Sequence, residues 1–136
     1  MSKIEQTLSI IKPDAVERNL SEKIKSIFSK NSLSILDNKK LHISKDEAAE
    51  FYKVHQSKPF YDQLCSYLSS GPIEVLILQG ENAVFKNREL MGATDPKNAK
   101  EGTIRKLYGV SIDKNSVHGS DSADNAKVEI GFFFNK

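Results

Sequence analysis

The order of extended and helical segments predicts an α+β sandwich, in which helices pack on a small, four-stranded and mostly antiparallel sheet. Extended and helical segments alternate along the chain, and residues 73–78 are almost wholly apolar, as expected of a strand buried on both faces. The 136 residues contain no repeat, low-complexity tract or linker. We therefore expect residues 1–136 to form a single domain.

The first segments read as a strand, a helix and a second strand. Residues 7–11 form a β-branched run that ends at Lys12. Pro13 suits the first turn of a helix, because its missing N–H needs no partner there. Apolar residues within 24–28 recur at helical spacing, and an extended segment over 33–42 follows.

The middle of the chain contains a helix-start signal. Ser44 and Glu47 match a capping box, in which each side chain accepts a hydrogen bond from the other residue's backbone N–H. We predict helices over about 45–55 and 61–68. The buried third strand then covers residues 73–78.

The last part of the chain includes a long segment without periodicity. Residues 82–91 have helical character, whereas 92–114 contain glycine and proline and predict a long loop, which is uncommon unless it is functional. A short fourth strand around Val117 and a closing helix over 123–133 complete the chain. This order corresponds to a ferredoxin-like sandwich with the long loop at about 92–114.

The composition excludes several classes of protein. The 20 basic and 18 acidic residues leave a formal net charge of +2, which argues against a polycation dedicated to nucleic acid or membrane surfaces. The longest wholly apolar stretch, residues 75–78, is far shorter than the roughly 20 residues of a membrane-spanning helix. The amino-terminal segment lacks the apolar core of a secretory signal, so we expect a cytoplasmic protein. The single cysteine, Cys65, is expected to pack in the core.

The sequence lacks the common glycine-rich loops that bind phosphate, so any phosphate-binding residues must lie elsewhere. The chain has neither a Gly-x-x-x-x-Gly-Lys-Ser/Thr sequence nor a glycine-rich kinase loop with its base motif. Its three arginines are Arg18, Arg88 and Arg105, and the last two bracket a segment with Thr94 and Thr103. The arginine fork binds phosphate with two hydrogen bonds. Taken alone, however, the pattern also fits arginines scattered by chance in a lysine-rich chain.

One histidine lies in a distinctive setting. Residues 115–122 read Asn-Ser-Val-His-Gly-Ser-Asp-Ser, which presents an imidazole at the end of a short strand among polar neighbours. Imidazole is mostly neutral at cellular pH, so one ring nitrogen of His118 has a lone pair that can attack phosphorus without a separate base. An isolated histidine is nevertheless more often a structural or solvated residue.

The wider pattern resembles a known family. Asn115-x-x-His118-Gly119-Ser120-Asp121 matches the active-site signature of the nucleoside diphosphate kinases, and the chain is similar to that family from residue 7 through residue 129. Further matching segments, in family order and spacing, are 7–15, 51–55, 58–60, 70–72, 87–94 and 102–105. The resemblance implies transfer of the γ-phosphoryl group of a nucleoside triphosphate, typically ATP, to a nucleoside diphosphate.

The resemblance also implies catalytic roles. In this family the signature histidine accepts the phosphoryl group and then passes it on, a ping-pong route through phosphohistidine, and His118 matches that residue. Lys12 and Tyr52 are implied to reach toward the transferred group. Glu129 and Ser120 are implied to orient the histidine. Phosphoryl transfer requires mainly in-line positioning and stabilisation of charge on the oxygens.

A nucleotide site follows from the same resemblance. Its implied members are Arg88, Thr94 and Arg105 at the phosphates with His55 nearby, Lys12 and Asn115 at the ribose, and Phe60 and Ile112 on the two faces of the base. Stacking on an aromatic ring accepts any base. Ordinary core packing is the alternative for Phe60, and a boundary position on an amphipathic helix is the alternative for Tyr52.

Other expectations concern metals and partners. We expect no metal site made by the protein, because its three histidines lack ligand spacing and the carboxylates do not cluster with them. Mg²⁺ is expected to arrive on the nucleotide phosphates. The expected partners are nucleoside triphosphates, nucleoside diphosphates and further copies of the chain in a tetramer or hexamer, with no membrane or dedicated nucleic-acid site. We interpret His42 as a strand or surface residue and 132–134 as core and subunit contact.

Three departures from the family pattern and one alternative remain. Leu20 and Ser21 replace a turn that usually contains glycine, Glu101 stands where proline is common, and 106–107 lack the usual acidic residue. None removes a chemical group from the predicted site.

The alternative function is a catalytically silent nucleotide-binding or protein-interaction module, which would be expected to have lost His118 or another site residue.

Overall fold

A four-stranded antiparallel sheet forms the centre of the computed structural model, which describes residues 4–112 and 114–134. The strands are β1 (Ile4–Ile11), β2 (Ser34–Leu41), β3 (Ile73–Glu81) and β4 (Val117–Gly119), in the order β2-β3-β1-β4. The helices are α1 (Pro13–Glu17), α2 (Ser21–Lys30), α3 (Lys45–Phe51), α4 (Tyr61–Leu68), α5 (Ala83–Met91), α6 (Ile104–Tyr108) and α7 (Ala123–Phe134). The predicted α+β class and antiparallel sheet are confirmed.

Both faces of β3 are buried, as predicted for the third strand. In β3, Leu76 and Leu78 join one apolar cluster with residues of α1, α2, α5 and α6. Ile73 and Val75 join a second cluster with residues of α3, α4 and α7. Alternate side chains of a strand point to opposite faces, so a continuous apolar run is needed to bury both.

The pairing of the central strands sets the position of the histidine segment. Ile10 of β1 lies opposite His118 of β4, and Ile11 lies opposite Val117. Pro13 occupies the first turn of α1, as its ring geometry favours. The chain therefore turns from β1 into a helix beside the short strand that carries His118.

Two sequence predictions need correction. The capping box at Ser44 and Glu47 is present, but α3 ends at Phe51 and a separate 3₁₀ turn covers Lys53–His55. The segment 92–114 contains a 3₁₀ turn and α6, and is not one irregular loop. Elements of three and five residues are too short for hydropathic periodicity to reveal.

The remaining structural expectations can also be compared with the structure. Cys65 is buried, which confirms a packing role. His42 is exposed just beyond β2, where its Nε2 lies 2.7 Å from the Ser69 carbonyl oxygen.

Phe133 belongs to the second apolar cluster, and its two phenylalanine neighbours pack against that cluster. None of the helices in the described part of the chain has the length and apolar character needed to cross a bilayer.

Among the described strand residues, Glu74 is charged and yet fully buried. The side chain of Glu74 in β3 is fully buried, where it pairs with Lys25 of α2 and accepts a hydrogen bond from Asn38 Nδ2 at 2.8 Å. Burial lowers the pKa of Lys25, but hydrogen bonds and charge from Glu74 and Glu22 outweigh this and raise its pKa above the ordinary value. The ion pair thus joins α2 to the central strand.

Replacing Lys25 by alanine should destabilise the fold, because it leaves a buried carboxylate without its counter-charge. We expect a loss of about 3 kcal/mol, near the lower end for such pairs since Lys25 is partly exposed. Glu22→Gln, which removes only the exposed partner, should change stability by less than about 1 kcal/mol. Urea unfolding of both variants measures the difference, and equal effects would contradict a special role for Glu74.

Candidate active site

A cleft of about 550 Å³ opens where β1, β4 and the 92–112 segment meet. The predicted residues that line it are Lys12, Tyr52, His55, Phe60, Arg88, Thr94, Arg105, Ile112, Asn115 and His118. Leu64, Met91, Gly119 and Asp121 also line it, although the sequence analysis assigned them no role. The structure thus brings residues from distant parts of the sequence around one opening.

Ser120 and Glu129, the other two predicted residues, lie behind the histidine. His118 Nε2 lies 3.0 Å from Glu129 Oε1, and Ser120 Oγ donates to the same oxygen at 2.8 Å. A neutral imidazole that donates from Nε2 keeps its lone pair on Nδ1. His118 is 21% exposed and Glu129 is 20% exposed, so the ring is accessible while its orientation is held from within.

Aromatic rings support the histidine from the side. The ring of Phe51 packs edge-on against His118 with 5.3 Å between centroids, and Tyr52 does so at 6.4 Å. Burial, followed by the charge of Glu129, raises the pKa of Tyr52 well above its ordinary value. The phenol therefore stays protonated at neutral pH. Phe51 belongs to a segment that matches the family, but its contact with His118 was not predicted.

Lys12 is held at the end of β1. Its Nζ donates to Asn115 Oδ1 at 2.9 Å, and Asn115 Nδ2 donates to the Thr94 carbonyl at 3.0 Å. Lys12 is largely buried, whereas Thr94 is exposed. This chain of hydrogen bonds joins the first strand, the irregular segment and the histidine motif at one side of the cleft.

Arg105 extends from α6 and ties together two segments of the cleft. Its Nη1 donates to the Gly92 carbonyl at 3.0 Å, and its Nη2 donates to the Val117 carbonyl at 2.9 Å. Burial, together with the charge of Arg88, lowers the pKa of Arg105 to about 10, so it remains a cation at neutral pH. Its Nε is buried without a hydrogen-bond partner among the described residues. Arg88 is an exposed cation on α5.

The opposite side of the cleft is aromatic. Phe60 is 42% exposed, its ring lies 6.3 Å from His55, and Lys58 Nζ lies 5.7 Å from its centroid. Burial and the neighbouring charges of Lys58 and His118 lower the pKa of His55, which favours the neutral ring at pH 7. Ile112 is 56% exposed. Two apolar surfaces are thus available to a ligand.

Asp121 is the acidic residue that lines this cleft. Asn125 Nδ2 donates to its Oδ1, and this hydrogen bond, with the charges of Arg88 and His118, lowers the pKa of Asp121. The carboxylate is therefore ionised beside the cationic residues. Among the described residues, no three His, Cys, Asp or Glu side chains come together as a metal site.

Gly119 is required by the close packing of β4 on α5. A Cβ at this position would lie 2.3 Å from Asn87 Nδ2 and 2.8 Å from Met91 Sδ, and both of these side chains are buried. Close packing therefore explains why a residue without a side chain follows the histidine. It lets α5, which carries Arg88, lie against the strand that carries His118.

Comparisons with known proteins agree with the geometry. The sequence model of the family described as "Nucleoside diphosphate kinase" matches residues 5–136. A nucleoside diphosphate kinase of a Nitratiruptor species is 58% identical over 131 residues, which are 96% of each chain. One from Campylobacter fetus subsp. fetus is 56% identical and covers 98% of this chain and 97% of its own.

Solved structures are similar over nearly the whole chain. The Aquifex aeolicus nucleoside diphosphate kinase has a TM-score of 0.95 at 38% identity, and the match covers 97% of this chain and 96% of that one. A halophilic nucleoside diphosphate kinase from Halobacterium salinarum, solved in complex with CDP, has a TM-score of 0.93 at 38% identity. That match covers 98% of this chain and 90% of the Halobacterium chain.

Adding a methyl group at Gly119 should disturb both stability and the cleft. We expect Gly119→Ala to lose about 1–3 kcal/mol of stability, the usual effect of overpacking, because the buried Asn87 side chain cannot move aside freely. Gly71→Ala is the matched control, since a Cβ there meets Pro13 at an ordinary 3.5 Å. Thermal unfolding of the two variants tests this, and equal stability would remove the packing explanation.

Proposed function

Because the chain belongs to the nucleoside diphosphate kinase family, its reaction is phosphoryl transfer from a nucleoside triphosphate to a nucleoside diphosphate, and we propose that the group travels through a phosphohistidine at His118. One observation carries this proposal. The hydrogen bond between His118 Nε2 and Glu129 Oε1 favours the tautomer with its proton on Nε2, and this supports Nδ1 as the nucleophile.

The proposed reaction consists of two matching half-reactions. Nδ1 attacks the γ-phosphorus of the triphosphate, an N–P bond forms, and the bond to the bridging oxygen breaks to release the diphosphate. The proton on Nε2 stays on the ring, where Glu129 accepts its hydrogen bond and stabilises the positive charge that the ring gains. A second diphosphate then attacks the phosphohistidine, and the same steps run in reverse.

The cationic and polar residues of the cleft are proposed to bind the phosphates. Arg88, Arg105 and Thr94 would hold the nucleotide phosphates near His55. Lys12 and Tyr52 would contact the group in transit. Arg105 is already held by two backbone carbonyls, so its charge needs little reorganisation when substrate binds. Such preorganised charge is most useful in a transition state that spreads charge over phosphoryl oxygens.

The other predicted residues would bind the nucleoside or orient the His118 ring. We propose that the base lies between Phe60 and Ile112, whose exposed apolar surfaces suit stacking with any base. Lys12 and Asn115, which already share a hydrogen bond, would contact the ribose hydroxyls. Glu129 would orient the His118 ring through its contact with Nε2, and Ser120 would hold the Glu129 carboxylate in place.

Mg²⁺ is proposed to enter with the nucleotide. The donors at the cleft are chiefly ammonium, guanidinium, hydroxyl and amide groups, which suit phosphate oxygens better than a bare dication. A magnesium ion on the phosphates would supply further neutralisation of their charge. The protein residues would then bind the complex and not the free metal.

We also propose a single catalytic domain that forms a homo-oligomer, either a tetramer or a hexamer. The family match spans residues 5–136, which supports the single domain. Leu36 is 48% exposed on β2, an edge strand of the sheet, and such a surface suits contact with another copy. The cytoplasmic location expected from the sequence stays a prediction.

Incubation with Mg-ATP labelled at the γ position, without an acceptor, should label about one site per subunit. The product should be acid-labile and alkali-stable, and any nucleoside diphosphate should discharge it. We expect His118→Gln to fold yet to lose both label and turnover, because glutamine keeps bulk without a nucleophile. His42→Gln, at an exposed position outside the cleft, should label normally. Retained label in His118→Gln would exclude His118 as the carrier.

Arg105→Lys should keep the charge but weaken catalysis. One ammonium cannot replace the two Nη groups that bind the Gly92 and Val117 carbonyls. We expect kcat/KM to fall by about 10–100-fold, the equivalent of one or two hydrogen bonds to a charged group. Lys106→Arg, at the exposed neighbouring position, should remain close to wild type. Unchanged kinetics in Arg105→Lys would contradict this role.

A further inference from the structure

The backbone just before His118 makes an unusual turn. Ser116 has a φ of 76°, and the Val117 N–H donates across it to the Asn115 carbonyl at 2.9 Å. This is a γ-turn with positive φ at its centre, a rare and strained form. A residue with a Cβ disfavours this region, so contacts elsewhere must hold Ser116 there.

Two contacts attach the turn to the chain around Lys12. The Ser116 carbonyl accepts a hydrogen bond from the Lys12 N–H at 2.8 Å. Its hydroxyl is fully buried and donates to Asp14 Oδ2 at 2.9 Å. Because Lys12 Nζ also binds Asn115 Oδ1, three hydrogen bonds join the segment that carries Lys12 to the one that leads into His118.

Asp14 is itself firmly held. Its carboxylate is buried, with Oδ1 accepting a hydrogen bond from the Tyr67 hydroxyl and Oδ2 lying 3.2 Å from Arg18 Nη2. Burial, followed by the hydrogen bond to Asp14, raises the pKa of Tyr67 above its ordinary value, so the phenol remains a donor. Arg18 also donates to the Tyr108 carbonyl at the end of α6. The acceptor of the Ser116 hydroxyl is thus fixed from several sides.

We propose that Asp14 and Ser116 are positioning residues of the phosphoryl carrier. The Asp14 carboxylate, acting through the Ser116 hydroxyl, holds the strained turn that sets Asn115 and His118 relative to Lys12. Neither residue lines the cleft, so neither contacts the reacting atoms. This inference rests on the proposed role of His118.

A positioning role differs from a merely stabilising one in its dependence on backbone strain. Ser116→Ala removes the hydroxyl and leaves a Cβ that opposes positive φ. Ser116→Gly removes the hydroxyl too, but glycine takes positive φ without that opposition. If the hydroxyl serves to hold the turn, glycine should restore much of the activity that alanine loses, and it should make the enzyme less sensitive to changes at Asp14.

The test measures the single-turnover rate of His118 labelling at saturating Mg-ATP, per folded protein. We expect Ser116→Ala and Asp14→Asn each to slow labelling by about tenfold, the effect of losing one buried hydrogen bond, and Ser116→Gly to stay within about threefold of wild type. Asp14→Asn should have a clearly smaller effect in the Ser116→Gly background than alone. Glu17→Gln, an exposed change of the same kind on α1, is the matched control.

The outcomes separate the two proposals. If wild type forms no acid-labile phosphohistidine, the proposed function fails and this inference fails with it. If wild type is labelled but Asp14→Asn and Ser116→Ala are labelled equally fast, only the positioning role is overturned. Equal slowing by alanine and glycine at Ser116, or an undiminished effect of Asp14→Asn in the glycine background, also overturns it, because either result removes the link to the turn.

Discussion

The antiparallel pairing of β1 with β4 determines where His118, the proposed phosphoryl carrier, lies in the fold. It sets Ile10 opposite His118, and the hydrogen bond from the Lys12 N–H to the Ser116 carbonyl continues the attachment beyond the last strand residues. Because β4 has only three residues, the ladder alone is short. Side-chain hydrogen bonds and the close approach of α5 at Gly119 complete the support of the histidine.

Charge in the cleft is arranged by backbone groups as much as by side chains. Arg105 is largely buried, yet its two Nη atoms donate to carbonyls, which satisfy both Nη groups without cancelling the positive charge. The carboxylate of Glu129 lies on the far side of the imidazole, at Nε2, and Asp121 lies close enough to Arg88 for that charge to lower its pKa. Asp121 thus offsets part of the charge of Arg88, whereas Arg105, held by neutral carbonyls, keeps its full positive charge where phosphate oxygens are proposed to bind.

Local sequence signals predicted the elements with local causes. The capping box at Ser44, the proline at the start of α1 and the apolar run of β3 each depend on a few neighbouring residues. The helix α6 was missed because five residues are too few to show a period. It is stabilised by the Thr103 cap and by complete burial of Ile104, and burial depends on distant parts of the chain.

By itself, the sequence determined which chemical groups are available: a histidine among polar neighbours, scarce arginines and a motif shared with a phosphotransferase family. Tertiary structure alone decided that Glu129 engages Nε2 of His118, that Phe51 packs against the ring, and that Asp14 reaches the strained turn at Ser116. The reason is physical. These contacts join residues on different elements, two of the three pairs far apart in the chain, and their geometry exists only after the strands have paired and the helices have packed on the sheet.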